Sequence, residues 1–414
     1  YEIPLCDWSS DVCSSDLTVT NVHKVGNVTS AGSTVGGVFG YMSGTLTNVD
    51  SVGAVTVTGS NSNVGGLIGD GGASTITTAS VTGAVTASSS SSVGGLLGTY
   101  SSGTLTTVSA TGGDISGTSS VGGLIGYVGS TLTINGASAT GNVTGTSNNV
   151  GGLVGYIYSN ATLSNVYATG NVQGTAGVGG LVGSMDIGYA RTISQNSYAS
   201  GTVRGTGTGT GSVGGLVGYA YGDVNIYSSS YRGTSVWSDG SDVGGLVGNS
   251  PSSYTVNIRN SYVDTQGGLG VKGTYRVGGM VGSSYYTLTI TSDASNTSVY
   301  GTALAPYSTA NVTGTTAVSA NAYVGGLVGL ASSYVYGSAT TIDSARVTAS
   351  TVTGVGNYVG GMVGSFGSLY GLTINNSYVN GTTVSGTGAS SYVAGLVGYA
   401  YASLNRSEER RVGK

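Results

Sequence analysis

The 414-residue chain has a formal net charge of −4 and only 7% charged residues, so charge alone recruits it neither to nucleic acid nor to an anionic membrane surface. Its 78 glycines do not fall at every third position, which excludes a collagen helix. Hydrophobic residues make up 38% of the chain and recur periodically, which argues against disorder, and no apolar run is long enough to predict a membrane span.

The two ends of the chain do not share the pattern of the rest. Residues 6–17 resemble the translation of a sequencing-adapter DNA, and residues 406–414 resemble the translation of its partner adapter. We therefore expect residues 1–16 and 406–414 to be non-native segments outside the fold. Both cysteines, Cys6 and Cys13, lie in the first of them, so we expect no native disulfide or metal pair.

Between these ends, residues 17–405 are organised by twelve near-copies of the motif Val-Gly-Gly-Leu-Val-Gly. The copies begin at Val35, Val64, Val93, Val121, Val150, Val178, Val213, Val243, Val277, Val324, Val359 and Val393. Successive starts are 28 or 29 residues apart over the first six copies and 30 to 47 residues apart later. A unit that recurs at such a period is typical of a solenoid, in which each repeat stacks on the previous one.

Each repeat contains three short segments typical of β-strands. In the repeat that starts at Val121 they are the motif, Thr131–Asn135 and Ala139–Gly145, each closed by Gly, Ser or Asn. No 3.6-residue apolar stripe predicts a helix. We therefore predict an all-β, elongated, three-sided parallel β-solenoid of about twelve coils of ~29–35 residues, with right-handed crossovers favoured. Residues 18–22 are expected to be the second side of an incomplete first coil.

The glycine pair of the motif has a predicted structural role. The motif valine and the leucine three residues later cannot both face inward in a regular strand, so the pair is expected to bend the strand or to admit the opposite wall. The glycines and leucines assigned to this role are Gly36, Gly37, Gly65, Gly66, Leu67, Gly122, Gly123, Leu124, Gly151, Gly152, Leu153, Gly214, Gly215 and Leu216. Core columns are predicted on the second side from Leu46, Ile76, Leu105, Leu132, Leu163 and Ile193, and on the third from Val55, Val85, Ile115, Val143, Val172 and Val203.

We expect the repeats to be cut at both ends, which leads to one expectation about assembly. Neither end carries a polar cap, so the terminal coils are expected to present unpaired strands. End-to-end self-association of the solenoid follows from this. The longest insertion, between Val277 and Val324, is expected to form a loop at one corner.

Three segments of the repeats carry a family resemblance. Gly152–Gly155 reads Gly-Leu-Val-Gly, Asn165–Val172 contains Gly-Asn-Val, and Asn196–Ala199 reads Asn-Ser-Tyr-Ala. Together they resemble the GLUG repeat, over almost all of residues 17–405. The resemblance implies a large bacterial cell-surface or secreted protein, such as an adhesin-like protein or the non-catalytic part of a surface peptidase. It implies an extracellular or cell-surface location and supplies no catalytic residue.

Threonines form the first candidate ligand surface. The pattern Thr-x-Thr occurs in four consecutive repeats, at Thr45 and Thr47, Thr75 and Thr77, Thr104 and Thr106, and Thr131 and Thr133. On a parallel sheet these residues would form two hydroxyl ranks with about 4.8 Å between coils, an arrangement used by ice-binding solenoids. The alternative is that threonine is a favourable outward strand residue beside an inward Leu or Ile.

Tyrosines form the second candidate surface. One set follows the motif and includes Tyr127, Tyr156 and Tyr219, with Tyr41 and Tyr399; a second set comprises Tyr167, Tyr198, Tyr262 and Tyr378. Stacked tyrosine edges suit a glycan or a protein partner, because aromatic anchors are enriched at interfaces. Self-stacking surface ladders are the equally weighted alternative.

The chain offers few groups for catalysis. His23 is alone, which favours an exposed bystander over a metal ligand, and no serine has a base and an orienting acid within the same pattern. The best carboxylate grouping is Asp223, Asp239 and Asp242, which could line one edge as in β-helical polysaccharide-cleaving enzymes, although solvated loop acids are the favoured interpretation. We predict no metal, no cofactor and no enzymatic activity.

These features give three functional hypotheses. The first is a non-catalytic structural stalk or adhesin shaft, because the repeats carry little chemistry. The second is a binding module, for glycans through the tyrosines or for ice through the threonines. The third is a polysaccharide-cleaving enzyme. The expected partners are host or surface glycans or proteins, and not nucleic acid.

Overall fold

A computed structural model describes residues 17–402 of the protein, apart from 61–62, 209–210, 241, 252, 293–304, 316–321, 334, 336–337, 349, 356–357, 369–370 and 389–390. The terminal segments 1–16 and 406–414, with Cys6 and Cys13, lie outside the described residues, as does much of the insertion before Val324. The described part consists of 51 strands in three sheets and contains no helix. It is an all-β, parallel β-solenoid of about twelve coils, as predicted.

The coil that begins at Val121 shows the path of the chain. Val121–Gly122 is a strand of sheet 1, and a bend at the next two residues leads into sheet 2, formed here by Ile125–Val128 and Leu132–Ala139. Val143–Gly145 then belongs to sheet 3, after which the chain returns to sheet 1 one coil further along. Each strand pairs in parallel with its counterpart in the neighbouring coil, and this confirms the three-sided arrangement.

The strands of each sheet follow one another along the solenoid axis. Sheet 1 consists of Thr34–Gly36, Asn63–Gly65, Ser92–Gly94, Val121–Gly122, Asn148–Gly151, Ala176–Gly179, Ser212–Gly214, Asp242–Gly244, Arg276–Gly278, Tyr323–Gly325, Tyr358–Gly360 and Tyr392–Ala394. Sheet 3 consists of Val28–Ser30, Val55–Val57, Val85–Thr86, Ile115–Gly117, Val143–Gly145, Val172–Gly174, Val203–Gly205, Ser235–Ser238, Gly270–Gly273, Val312–Gly314, Thr351–Gly354 and Thr383–Gly386.

Sheet 2 is the widest of the three. It consists of Thr18–Val25, Phe39–Val52, Ile68–Thr82, Leu97–Thr111, Ile125–Val128, Leu132–Ala139, Val154–Ile157, Ala161–Ala168, Val182–Met185, Ala190–Ser194, Tyr198–Ala199, Val217–Ala220, Asp223–Tyr227, Ser230–Tyr231, Val247–Ser250, Val256–Arg259, Tyr262–Val263, Val281–Ser284, Leu288–Thr291, Tyr307–Ser308, Val328–Ser333, Thr340–Asp343, Arg346–Thr348, Val363–Ser368, Leu372–Asn375, Tyr378–Asn380 and Val397–Ala402. Thr18–Val25 pairs with the second part of Phe39–Val52, which confirms that residues 18–22 form the second side of a coil; the preceding residues 1–16 lie outside the described part of the chain.

The motif glycines form the bend between sheets 1 and 2. A Cβ on Gly122 would lie 1.9 Å from the carbonyl oxygen of Ile125, and a Cβ on Gly123 would lie 2.1 Å from the carbonyl oxygen of Gly152 in the next coil. No side chain fits either position, because the backbone approaches too closely. The bend turns both Val121 and Leu124 into the core, where each is fully buried. The prediction that the glycine pair bends the strand is therefore confirmed.

The core runs along the axis as stacked aliphatic columns. The predicted column of sheet 3 is in register from Val55 to Val203. The predicted column of sheet 2 is wrong in one coil, because Ile134 and not Leu132 pairs with Leu105 and Leu163. Leu132 is also buried, two residues earlier on the same face. Side chains alternate between the two faces of a strand, so Leu132 and Ile134, which are two residues apart, both face inward. The sequence pattern therefore did not distinguish them.

Candidate functional site

The threonine ranks on sheet 2 are in register as predicted in the first three of the four coils. Thr45, Thr75 and Thr104 pair in order, as do Thr47, Thr77 and Thr106, and each side chain faces outward beside a buried Leu or Ile. In the fourth coil the predicted assignment is wrong. Thr133 joins the first rank opposite Thr104, Thr131 lies before the strand, and Asn135 occupies the second rank.

Compared with the two predicted ranks of four threonines each, the observed register gives one longer rank and one shorter rank of threonines. The first rank runs through seven coils as Thr18, Thr45, Thr75, Thr104, Thr133, Thr162 and Thr192. The second continues from Asn135 to Ser164 and Ser194, so the paired threonines end after Thr106. A surface of two matched threonine ranks is thus limited to the first coils.

The residues that directly follow each motif copy form one row, which we call the following column. Tyr127 and Tyr156 are neighbours in it, with ring centroids 5.5 Å apart and planes within 16°. The next member is Ser184, and Tyr219 comes one coil later. Tyr41 pairs with Asp70 and stands apart from the stacked pair. The three predicted binding tyrosines thus share a column that is broken by one serine.

The second predicted tyrosine set is also a column, here called the Ser-Tyr column. Its members in register are Tyr167, Tyr198, Ser230, Tyr262, Tyr307, Arg346 and Tyr378. Tyr167 and Tyr198 stack with centroids 5.3 Å apart, and Tyr262 and Tyr307 with centroids 4.8 Å apart. The guanidinium of Arg232 lies over both Tyr198 and Tyr262, 4.7 and 5.5 Å from their ring centroids.

A third column was not predicted. The residues that directly precede the motif valines, which we call the preceding column, end in Tyr323, Tyr358 and Tyr392. Their neighbouring ring centroids are 5.3 and 5.4 Å apart, with planes within 6° and 15°. The signal in the sequence was the pair Tyr-Val at the start of the last three motif copies.

The tight motif bend sets the preceding and following columns side by side. Within one coil, the side-chain amide of Asn249 donates to the carboxylate of Asp242 over 2.8 Å. In the last coil the rings of Tyr392 and Tyr399 are 5.9 Å apart. The two columns therefore run side by side along the solenoid axis, and we call the surface where they meet the motif groove. Residues on the two sides of one bend meet there across the groove.

One cleft in the motif groove lies at the serine break of the following column. It has a volume of about 220 Å³, and its lining includes Ser184, Tyr156, Tyr219, Tyr221 and Asp186. Burial raises the pKa of the Tyr156 hydroxyl, and the neighbouring carboxylate of Asp186 raises it further. Burial likewise raises the pKa of Tyr221. These hydroxyls therefore stay protonated, and the carboxylate supplies the negative charge of the cleft.

A buried arginine supports the turn that carries Asp186. Arg191 is fully buried, and its guanidinium donates to the carbonyl oxygens of Asp186 and Tyr189 over 2.7 and 2.8 Å. It also donates to the carbonyl oxygens of Ile157 and Tyr158 in the previous coil over 3.3 and 3.2 Å. Burial lowers the pKa of Arg191 to about 10, opposed by Asp186. Sequence reasoning missed this residue, because arginine at an inward position breaks the apolar pattern.

A second cleft of about 320 Å³ lies further along the motif groove. Tyr323, Tyr358 and Tyr399 contribute to its lining, together with Arg276 and Tyr285. Arg276 forms a two-pronged ion pair with Asp242, and its N–H groups also contact the hydroxyl of Tyr285. The cation is thus held at one end of a cleft whose other walls are mainly tyrosine.

The predicted carboxylate row does not form. Asp242 is buried in a sheet 1 strand, where Arg276 and Asn249 occupy its two oxygens, so it is not a solvated loop acid. Asp223 is exposed on sheet 2 and accepts a hydrogen bond from the backbone of Thr255, and Asp239 is exposed at a turn. The sequence favoured solvated loop acids over such a row; that interpretation holds for the exposed Asp223 and Asp239 and is wrong for the buried Asp242, because repeat spacing alone does not separate the sheets.

The remaining candidate groups have structural surroundings. The exposed imidazole of His23 contacts the carboxylate of Asp50 in the next coil. Among the described residues, no group of three or more His, Cys, Asp or Glu side chains is arranged to hold a metal ion. Within the same residues, no helix is long and apolar enough to cross a membrane.

The comparison with known families points to one coil. Residues 146–173 match the model of the GLUG motif, from the turn before Val150 to the sheet 3 strand that begins at Val172. Because the same unit recurs through the three sheets, this match supports a GLUG-repeat protein. The chain matches no curated protein and no solved structure. The repeat and the solenoid together fit a repeat-based structural or surface protein.

Proposed function

We propose that this chain is a non-catalytic, load-bearing shaft of a bacterial adhesin-type protein, exposed at the cell surface or secreted. The observation that carries the proposal is the continuity of the three sheets. Every coil hydrogen-bonds to the next on three sides, and one apolar core of stacked columns passes through the described coils. A body built in this way resists bending and extends in proportion to its number of repeats.

Two further observations support a structural role over a catalytic one. The buried carboxylate with the most contacts, Asp242, is bound to Arg276 and Asn249 and so holds neighbouring coils together. The stacked tyrosine pairs also link one coil to the next, since each ring lies over its counterpart. Both features add lateral stiffness to the sheets and need no substrate to explain them.

Single-molecule stretching tests the shaft. With the chain held at residues 18 and 402, we expect force peaks that each release one coil, about 100 Å of extended chain for 29 residues. Gradual extension without peaks would contradict a load-bearing role. Antibody labelling of intact cells that express the gene tests the location, and labelling only after lysis would contradict it. Incubation with polysaccharides should release no reducing ends above the buffer level.

Carbohydrate binding at the second cleft is an additional candidate function. The observation that favours it is the lining of this cleft by Tyr323, Tyr358 and Tyr399, because a tyrosine offers a partner both an apolar ring and a hydroxyl group. A glycan array with the intact chain tests it, with Tyr358→Leu as the binding variant and Tyr167→Leu, in the Ser-Tyr column, as the control. Equal array signals from both variants would exclude the cleft as the site.

A further inference from the structure

Two tyrosine columns of the solenoid are broken in the same way. In the following column Ser184 lies between Tyr156 and Tyr219, and in the Ser-Tyr column Ser230 lies between Tyr198 and Tyr262. Each break spans two coil steps, about 9.6 Å between the flanking positions. A serine side chain is much smaller than a tyrosine ring. Each break is therefore a gap about the size of one planar side-chain group.

The protein fills the second gap with its own guanidinium group. The Cζ of Arg232 lies 4.7 Å from the ring centroid of Tyr198 and 5.5 Å from that of Tyr262. Its Nε donates to the hydroxyl oxygen of Ser230 over 2.8 Å. Two tyrosines, one serine and a planar cation thus make a complete unit, in which the rings attract the charge and the serine orients the plane.

The first gap has the same tyrosine and serine walls and, among the described residues, contains a cleft. A cleft of about 220 Å³ opens beside Ser184, whose hydroxyl oxygen is buried and has no hydrogen-bond partner in the described structure. The backbone of Gly177, in the preceding column, packs against this oxygen: a Cβ there would lie 2.2 Å from it and 3.3 Å from Cδ2 of Tyr219. Tyr221 stacks on Tyr219, with centroids 5.1 Å apart, and extends that wall.

The charge of the first gap is suited to a cation. Asp186 lines the cleft, and both Asp186 and Asp223 are close enough to act on the buried Arg191. Two carboxylates therefore face one internal cation. The guanidinium of Arg191 is directed to four backbone carbonyl oxygens and not to the carboxylate of Asp186. The carboxylate of Asp186 accepts a hydrogen bond from the backbone N–H of Ile187 over 2.7 Å and lies beside the hydroxyl of Tyr156, and its negative charge faces the cleft.

We propose that the cleft between Tyr156 and Tyr219 binds the guanidinium group of an arginine side chain from a partner protein. The plane of the group would lie between the tyrosine walls, in the space that the small side chain of Ser184 leaves, and Asp186 would provide the counter-charge. A lysine ammonium group is not planar and so does not stack flat between the rings, and a neutral sugar forms no ion pair with the carboxylate. The inference does not depend on the shaft role.

Ligand-observed NMR with the full-length chain tests this site. The probes are N-acetyl-arginine amide and N-acetyl-lysine amide. We expect saturable binding of the arginine probe, at least about fivefold tighter than that of the lysine probe. Ser184→Tyr fills the gap and Asp186→Asn removes the charge, and each should weaken arginine binding at least about tenfold. Thr99→Tyr extends the same column beyond Tyr127 and serves as the control with unchanged binding.

A second variant tests the rule that links the two gaps. Arg232→Ala empties the break between Tyr198 and Tyr262, so the number of bound arginine probes should rise from one to two. Four outcomes would overturn the proposal: no saturable binding, equal binding of the two probes, unchanged binding by Ser184→Tyr, or one bound probe in Arg232→Ala. Preference of the cleft for a neutral monosaccharide would overturn it as well.

Discussion

The first three complete coils and the coils after them differ in how sheet 2 is built. In the early coils sheet 2 is a single strand of 14 or 15 residues, such as Ile68–Thr82, and outward threonines follow it in ranks. In later coils the same path is divided into short strands, for example Val182–Met185, Ala190–Ser194 and Tyr198–Ala199. Some outward positions there carry tyrosine or arginine, as at the neighbouring positions Tyr227 and Arg259.

The difference shows which parts of the repeat are fixed. Both regions share the motif bend and the stacked core. The extra residues of the longer repeats lie in the segments between the paired strands. The turn that carries Asp186 lies in the 35-residue repeat that begins at Val178, and it contributes to a cleft. The regular coils therefore provide the scaffold, and the lengthened coils provide candidate binding groups.

Substitution of the second motif glycine should have the largest effect, and it should be equal in both regions. A Cβ on Gly123, in a short repeat, would lie 2.1 Å from the carbonyl oxygen of Gly152, and a Cβ on Gly245, in a long repeat, 2.0 Å from that of Gly279. We expect each alanine variant to lose about 3 kcal/mol in urea unfolding.

Gly395 is the matched control for these variants. It occupies the same motif position in the last coil, where a Cβ would meet nothing within 4 Å. Gly395→Ala should change the unfolding free energy by less than about 0.5 kcal/mol. If Gly245→Ala were as mild as Gly395→Ala, the motif bend would not be common to the two regions.

Alkaline pH should destabilise both regions through buried tyrosines. Burial raises the pKa of Tyr100, in the early coils, and that of Tyr231, in the later ones, and raises the pKa of Tyr307 to about 12. These hydroxyls keep their protons in the folded state after the unfolded chain has lost them near pH 10, so their stabilisation is present below about pH 10 and is lost as the pH rises through about 12.

Thermal melts followed by circular dichroism across this range measure the effect. The melting temperature should fall as the pH rises above about 10, and Tyr307→Phe should reduce the slope because it removes one titrating hydroxyl. A melting temperature that stays constant to about pH 12 would show that these hydroxyls do not affect folding.

Removal of the buried arginine should affect the coils that contact Arg191 and leave the early coils unchanged. Arg191→Met leaves four backbone carbonyl oxygens without their donor, and we expect a loss of about 2 kcal/mol. Hydrogen exchange should quicken at residues 186–190 and remain unchanged at residues 68–82. The control is Arg204→Met, which removes a contact with the ring of Trp237 and should cost about 0.5–1 kcal/mol. Equal losses would refute the special role of Arg191.

Stacked tyrosines should give the smallest effects. A double-mutant cycle of Tyr167 and Tyr198, whose planes lie within 6°, should yield a coupling of about 0.5–1.5 kcal/mol. Tyr262 and Tyr307, with planes within 7°, should yield a similar value because the geometry is similar. A coupling free energy near zero in both cycles would mean that the stacked rings do not stabilise one another and do not stiffen the later coils.

The sequence was sufficient for the repeating part of the fold. Valine, two glycines and leucine in a fixed order predicted a bend with both apolar residues inward, and Gly122 and Gly123 show the physical cause in two backbone contacts, at 1.9 and 2.1 Å from an added Cβ. The sheet 3 column followed directly from repeat spacing. Local geometry and period decide these features, and both can be read from one chain.

Features that depend on register or on breaks in the pattern could not be predicted in the same way. Thr131 and Thr133 have the same spacing as the earlier pairs, but the strand is shifted by two residues, which preserves the inward and outward faces and leaves no sign in the pattern. The cleft at Ser184 depends on contacts between coils and on Arg191, a charged residue at an inward position. Only the three-dimensional stacking brings those groups together.

Distances between equivalent positions in different coils test the central claim most directly. Thr45, Thr192 and Thr373 lie in one rank, with Thr192 five and Thr373 ten coil steps from Thr45 in register. With Cys6 and Cys13 replaced by serine and spin labels on cysteines at pairs of these sites, pulsed electron resonance should give mean distances from Thr45 of about 24 and 48 Å, with narrow distributions. A distance to position 373 that is no longer than that to position 192 would contradict a single continuous solenoid.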